Sequence, residues 1–326
     1  MIPTANTNAT QDRPRWTHAL PAPVRSLGRP LLHTWQHLHG ALSQIRRWRI
    51  ATIKQTLEQT LANTAWAISK PIAKTRWNQS ILEKIVVSAQ YLQGIGCGSD
   101  VFSSGEAAVF TKLKESTDSK RTLCVFDVGA NKGQFLTLAC TSLPGREFTI
   151  HAFEPSRKTY EQLCENARKY RNAVLNNYGL GREPGDRELF YDAVGSGLAS
   201  LTKRKLDHLG LHMELSEKVK ISTIDDYCDA HQIDRIDLLK IDVEGHELDV
   251  LIGGEKMFSK SAIDMVTFEF GGTDIDTRTF FRDFFYFFQD HRMRIARITP
   301  SGYLCELKSY NEGFEQFRIT NFMCYR

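Results

Sequence analysis

Apolar residues change period repeatedly along this chain, and each change marks an element. Dense apolar runs at residues 123–126, 148–153, 236–241 and 263–270 read as strands covered on both faces. Between them, Gln134 to Cys140 reads as a helix. Ser156 to Arg171 reads as another, with Tyr160, Leu163, Cys164 and Ala167 three and four apart. Ala173 to Asn176 reads as a third strand. Thr223-Ile-Asp-Asp226 has the spacing of a capping box and opens a helix to about His231. Residues 246–257 and Thr277 to Asp290 read as helices. Arg294 to Ile298 and Phe317 to Tyr325 read as late strands joined by a long connection with Gly302 and Gly313. Strands alternating with helices predict one α/β, Rossmann-like, doubly wound, mostly parallel sheet.

Polar residues interrupt this pattern where strands end. Leu123 to Phe126 runs into Asp127, then a turn bracketed by Gly129 and Gly133; glycine lets a ligand lie against bare backbone. The turn reads D-x-G-x-x-x-G, not the G-x-G-x-x-G of a dinucleotide site, and an acid at its mouth suits a cationic ligand. A little more than twenty residues on, Phe148 to Phe153 ends in Glu154-Pro155, where a carboxylate can accept from both hydroxyls of a ribose. The strand from Ile236 delivers Asp242, Glu244, His246 and Glu247 within six residues, at the end that faces the ligand crevice in open α/β sheets. Glu269 closes the next strand. Polar first-turn residues of a helix are the plainer reading of His246 and Glu247.

Four passages, VFDVGANKGQF at 125–135, HAFEP at 151–155, IDLLKIDVEGHELDVLIGG at 236–254 and VTFEF at 266–270, resemble the FkbM family of class I methyltransferases in that family's order. The resemblance covers residues 120–326. It implies a seven-stranded sheet with a terminal antiparallel pair and S-adenosyl-L-methionine as cofactor. Asp127, Gly129, Ala130, Asn131, Gly133, Glu154 and Pro155 would hold that cofactor. Asp242 would lie near donor and acceptor, and Glu244, His246 and Glu269 are candidate bases, His246 having the ordinary pKa nearest neutrality. No Asp/Asn-Pro-Pro-aromatic motif follows the fourth strand, so an oxygen nucleophile is favoured. The resemblance implies a hydroxyl of a sugar, glycolipid or polyketide-like metabolite as acceptor. Asp242, Glu244, His246 and Glu269 could also hold Mg²⁺ against two hydroxyls. Their spacing matches no dedicated metal motif, and the expectation is transfer without a metal.

Charge divides the chain. Residues 1–80 hold eight Arg and three Lys against Asp12 and Glu58, a net of +9, so the rest of a chain of net +4 carries −5. An acidic body argues against a nucleic-acid partner. Residues 1–35, with Pro3, Pro14, Pro21, Pro23 and Pro30, read as a disordered basic tail. Residues 36–115 read as amphipathic helices and a linker or lid. Within 36–72, Leu38, Leu42, Ile45, Ile53, Leu57, Leu61, Ala65, Ile68 and Ile72 recur at helical spacing. That face suits docking on the catalytic domain or on a partner chain, including a second copy in a homo-oligomer. With Trp35, Trp48 and Trp66 it also suits peripheral contact with an anionic membrane. Helices at Ile81 to Leu92 and Ser104 to Glu115 would cover the cofactor. No secretory leader or apolar span is expected. Cys97, Cys124, Cys140, Cys164, Cys228, Cys305 and Cys324 form no C-x-x-C pair and read as reduced thiols of a cytoplasmic protein.

Seven aromatics crowd Phe280 to Phe288. A helix wedged between the sheet and another element is the plainer reading, an apolar substrate or membrane contact the sharper one. Ser-Gly around Gly195 to Gly197, between runs at Arg187 to Tyr191 and Ala199 to Thr202, reads as a hairpin or lid insertion. The alternatives to a methyltransferase are a dinucleotide-dependent oxidoreductase or sugar-modifying enzyme, which the missing glycine fingerprint disfavours, and a membrane-associated adaptor that keeps the fold without catalysis.

Overall fold

Buried apolar strands run parallel with helices covering both of their faces. The computed structural model describes residues 53, 55–67, 74–98, 100–118 and 120–326. The expectations for residues 1–35, and for most of 36–72, lie outside them. The chain divides into two compact units, Met1–Ile81 and Leu82–Arg326. In the first, residues 55–67 are helical, and Leu57, Leu61 and Trp66 are exposed. No described helix is long and apolar enough to cross a membrane.

The main sheet consists of β1 (Leu123–Val128), β2 (Phe148–Phe153), β3 (Ala173–Asn176), β7 (Leu238–Ile241), β8 (Met265–Phe270), β9 (Arg294–Ile298), β10 (Leu304–Leu307) and β11 (Thr320–Tyr325). Their order is β10-β9-β11-β8-β7-β1-β2-β3. β3, β2, β1, β7 and β8 are parallel. β11 runs antiparallel to both β8 and β9, which gives the expected terminal reversal. The count differs from the expected seven. The long connection after β9 contains β10, which adds an antiparallel eighth strand. A second sheet joins β4 (Gly179–Leu180), β6 (Leu215–Ser222) and β5 (Gly185–Tyr191). The expected hairpin at 187–202 survives only as a bridge between Phe190 and Ser200, because β5 pairs mainly with β6.

Side chains alternate between two cores. Val125, Ile150 and Leu238 face α2 (Ala107–Ser116), α3 (Gln134–Ser142) and α4 (Arg157–Ala167). Phe126, Leu239 and Phe268 face α5 (Ile224–His231), α6 (Glu247–Ile252), α7 (Glu255–Ser259) and α9 (Phe281–Asp290). Gly253 and Gly254 separate α6 from α7, which divides the helix expected over 246–257. A short α8 (Thr273–Thr277) precedes α9. Thr223 caps α5, its side chain accepting from Asp226 N at 3.0 Å. In α9, Phe281, Phe284 and Phe288 are fully buried; Phe284 stacks on Phe268, and Phe281 packs tilted against Phe322. Phe285 and Tyr286 meet Tyr310, and Phe287 meets Phe258. The aromatic helix is thus wedged, as the plainer reading has it. α1 (Arg76–Leu92) buries none of its residues.

Candidate active site

Gly129 fixes how close two strand ends can come. Its φ is +80°, and a Cβ there would lie 1.8 Å from the carbonyl oxygen of Asp242. Only glycine lets the turn after β1 press against the turn after β7. Asn131 and Glu244 also take left-handed backbone, at φ 49° and 57°. Asn tolerates this conformation better than Glu does, and the Asp242–His246 turn is held by other means. Glu247, wholly buried, accepts from Val243 N at 2.9 Å and Gly245 N at 3.1 Å. It therefore shapes the loop and is not one of the groups exposed in the crevice.

The turns enclose a cleft of two adjoining lobes. A lobe of about 300 Å³, called polar for its charged groups, is lined by Glu106, Ala130, Lys240, Thr267, Glu269 and Asn321, with apolar residues such as Phe135 and Phe268 between them. An apolar lobe of about 80 Å³ lies against Glu154, Pro155, Leu180, Leu201, Ile221 and His246. Gly129, Asn131, Gly197, Asp242 and Glu244 line both. Asp242 and Glu244 therefore stand at the junction, Glu269 belongs to the polar lobe, and His246 belongs to the apolar one. The two candidate bases His246 and Glu269 are not brought together.

Asp127 needs correcting in position. It lies inside β1, two residues deeper than a strand ending at Phe126 implies, and it is fully buried beneath the mouth. It lines neither lobe. Lys240 is its register partner on β7, and the ammonium lies 3.5 Å from Asp127, 3.3 Å from Asp242 and 3.3 Å from the Gly129 carbonyl. One buried cation thus ties three parts of the cleft floor together. Gly133 also lines neither lobe; at φ +89° it turns the chain into α3.

Glu154 sits at the tip of β2, 7% exposed. Its two oxygens accept from Asn131 N at 3.0 Å and Ser156 N at 2.9 Å. Burial pushes its carboxyl up to about 7 against these donors. Burial likewise lifts Glu244 to about 8, aided by Asp242 and opposed by Arg204, and it raises Glu269 well above the carboxylate range, aided by Asp242 and Glu244. Arg204 donates to Glu244 at 2.8 Å and Asp276 at 3.3 Å. His246 is held at both nitrogens, by Asp249 at 2.8 Å and Thr202 at 3.0 Å. With Ser200 Oγ donating to the Glu244 carbonyl at 2.7 Å, residues 197–204 form a strap along the cleft, the part of the insertion expectation that the geometry keeps. Gly98, Asp100, Val101 and Glu106 also form part of its wall, whereas α1 does not.

An adenosine sulfonium fits this donor set. The apolar lobe offers aliphatic walls beside a carboxyl at the β2 tip, Asn131 Oδ1 is a buried acceptor without a hydrogen-bond partner, and the junction is acidic. Among the described residues, no three His, Cys, Asp or Glu side chains are grouped so as to hold a metal ion.

Lys240, Glu106, Asn321 and Arg204 were not foreseen. Lys240 carries a signal, a lone cation inside the apolar run 238–241; Glu106 and Asn321 reach the cleft, and Arg204 reaches Glu244 behind it, from distant segments that carry none.

Strand order, the reversed β11 and the cleft beyond the carboxyl ends of the parallel strands define the class I methyltransferase type of α/β fold. The chain belongs to the FkbM methyltransferase family: the profile described as Methyltransferase FkbM domain matches residues 127–297, just over half of its length. It is 36% identical over 155 residues to the 31-O-demethyl-FK506 methyltransferase FkbM of Streptomyces tacrolimicus, covering 40% of this chain and 59% of that one. It is 29% identical over 150 residues to the hexuronic acid methyltransferase AglP of Haloferax volcanii, covering 46% and 56%. The matched regions thus span less than two thirds of these relatives. A crystal structure of methyltransferase FkbM from Methylobacillus flagellatus KT is 15% identical, covering 76% of this chain and 60% of that one, with a TM-score of 0.39.

Proposed function

We propose that the protein is an S-adenosylmethionine-dependent O-methyltransferase acting on a hydroxyl of a sugar, glycolipid or polyketide-like metabolite. The observation that carries this reading is the two-lobed cleft, with the Glu154 carboxyl in an apolar lobe that opens past Gly129 and Asp242 into an acidic one. Family membership supports methyl transfer, the 31-O-demethyl of one relative's name supports an oxygen acceptor, and the hexuronic acid of the other's supports the sugar class, though as a sugar acid.

When bound, the cofactor supplies a methyl group already attached to a good leaving group. The chain's own work is then alignment and proton removal. Glu154 accepts from ribose hydroxyls, and Asn131 Oδ1 accepts a further donor. Asp242, at the junction, meets the positive charge and orients the acceptor. Glu269 takes the hydroxyl proton. The hydrogen bonds that occupy Glu244 and His246 have no counterpart at Glu269 among the described residues, which leaves its carboxyl free to meet the acceptor hydroxyl, and burial raises its affinity for a proton.

Calorimetry with S-adenosylhomocysteine on the wild type and on Glu154→Ala tests this. Micromolar binding that weakens in the variant is expected. No binding, with NAD or a nucleotide sugar bound instead, would overturn the function.

A further inference from the structure

The polar lobe constrains the acceptor beyond its being an alcohol. Five carboxyl groups line it, from Asp100, Glu106, Asp242, Glu244 and Glu269, against one ammonium, that of Lys240. That ammonium is already shared between Asp127, Asp242 and the Gly129 carbonyl. Among the described residues, no arginine, histidine or second lysine lines the lobe.

Crowded acids alone define no site, but Asn321 adds an independent feature. It is 5% exposed, lines the lobe, and its Nδ2 has no hydrogen-bond partner. A buried amide donor left unmet costs free energy that an incoming acceptor recovers. Asn321 is the register partner of Glu269 across β11 and β8, so a donor and an acceptor stand side by side. This pair complements a hydroxyl, which accepts one hydrogen bond and donates another.

We infer that the polar lobe takes a neutral or amino-bearing polyol as acceptor and excludes acceptors that carry a carboxylate or phosphate near the reacting hydroxyl. An anionic group would enter beside the carboxyls of Asp100 and Asp242 with no free counter-charge to meet it, because the one lining ammonium is already engaged. Exclusion of this kind separates substrates of equal shape. Burial also pushes Glu106 up to about 7, so the wall holds labile protons near neutral pH. An acceptor amine draws those protons off and gains ion pairs, whereas a carboxylate competes for them. The inference rests on the methyltransferase reading, since this lobe is the acceptor subsite only if the apolar lobe holds the adenosine.

The test uses the full chain saturated with S-adenosylhomocysteine and saturation-transfer NMR with methyl glucoside, methyl glucosaminide and methyl glucuronide at equal concentration. Calorimetry with S-adenosylhomocysteine alone comes first, and its failure would defeat the methyltransferase reading itself. With the nucleoside bound, signals from the glucoside and glucosaminide are expected, with the glucuronide at least about tenfold weaker. Asn321→Ala should lose the glucoside signal at unchanged nucleoside affinity. A glucuronide signal equal to the others, silence from all three, or a glucoside signal kept in full by Asn321→Ala would overturn the inference and leave the cofactor reading standing.

Discussion

The two lobes of the cleft bury carboxyl groups in opposite ways. In the apolar lobe Glu154 is met by two backbone N–H groups, from Asn131 and Ser156, supplied by the loops around it. In the polar lobe Glu106, Asp242, Glu244 and Glu269 crowd one ammonium already shared with Asp127. Burial lifts both Glu154 and Glu106 to about 7, yet what opposes it differs: backbone donors for Glu154, chiefly the charge of Lys240 for Glu106. A carboxyl held by its own turn is fixed by local geometry. One held by a distant cation depends on the whole sheet.

That contrast breaks most sharply at Lys240. Lys240→Met leaves Asp127 buried without a counter-charge and should destabilise the fold by about 3–5 kcal/mol in urea unfolding. Lys240→Met with Asp127→Leu should recover most of the loss, and failure to recover would show that the cation serves more than this pair. Glu269→Gln should lower kcat by about 10²–10³-fold, ~3–4 kcal/mol, with S-adenosylhomocysteine affinity within about twofold of wild type. A fall in affinity instead would mean that the lobes are not separate. Glu154→Ala should show the reverse split, about 30-fold weaker nucleoside binding by calorimetry, ~2 kcal/mol, with kcat at saturating cofactor little changed.

The smallest effect is a pH dependence. Glu106 and Glu154 have ordinary values of 4.5 and folded values of about 7, so the folded state keeps protons that the unfolded chain releases. Their contribution to stability is complete below about 4.5 and is lost as pH rises through about 7. The urea midpoint should therefore fall between pH 5.5 and 8, and Glu106→Gln should flatten that fall by about 1 kcal/mol. An unchanged slope would place the titrating proton elsewhere.

Legibility followed the same division. β2, β3 and β9 lie at the residues their apolar pattern marks, and the turn at Gly129 and the carboxylate of Glu154 were readable because each depends on a few adjacent residues. β10 escaped notice because a four-residue strand with one buried leucine lacks a period of its own. β6 escaped because its outward polar residues outnumber its buried ones. Glu247 looked like one more crevice acid, since a side chain folded back onto its own loop has the same spelling as one that faces a ligand. Glu106 stands more than a hundred residues before Asp242 and Asn321 well beyond it on a later strand, and only the register of β11 on β8 and the path of the chain before α2 bring them to it.

The eighth strand has a consequence of another kind. Without β10, the five-residue β9 would offer an open row of peptide groups, the sort of border on which a second chain can build an intermolecular sheet. β10 covers it and leaves a border only four residues long, with exposed Glu306 in it and Lys308 just beyond. The opposite border, β3, is four residues long as well. A wide sheet is thus finished on both sides with short margins, which limits aggregation between neighbouring molecules without closing the sheet into a barrel.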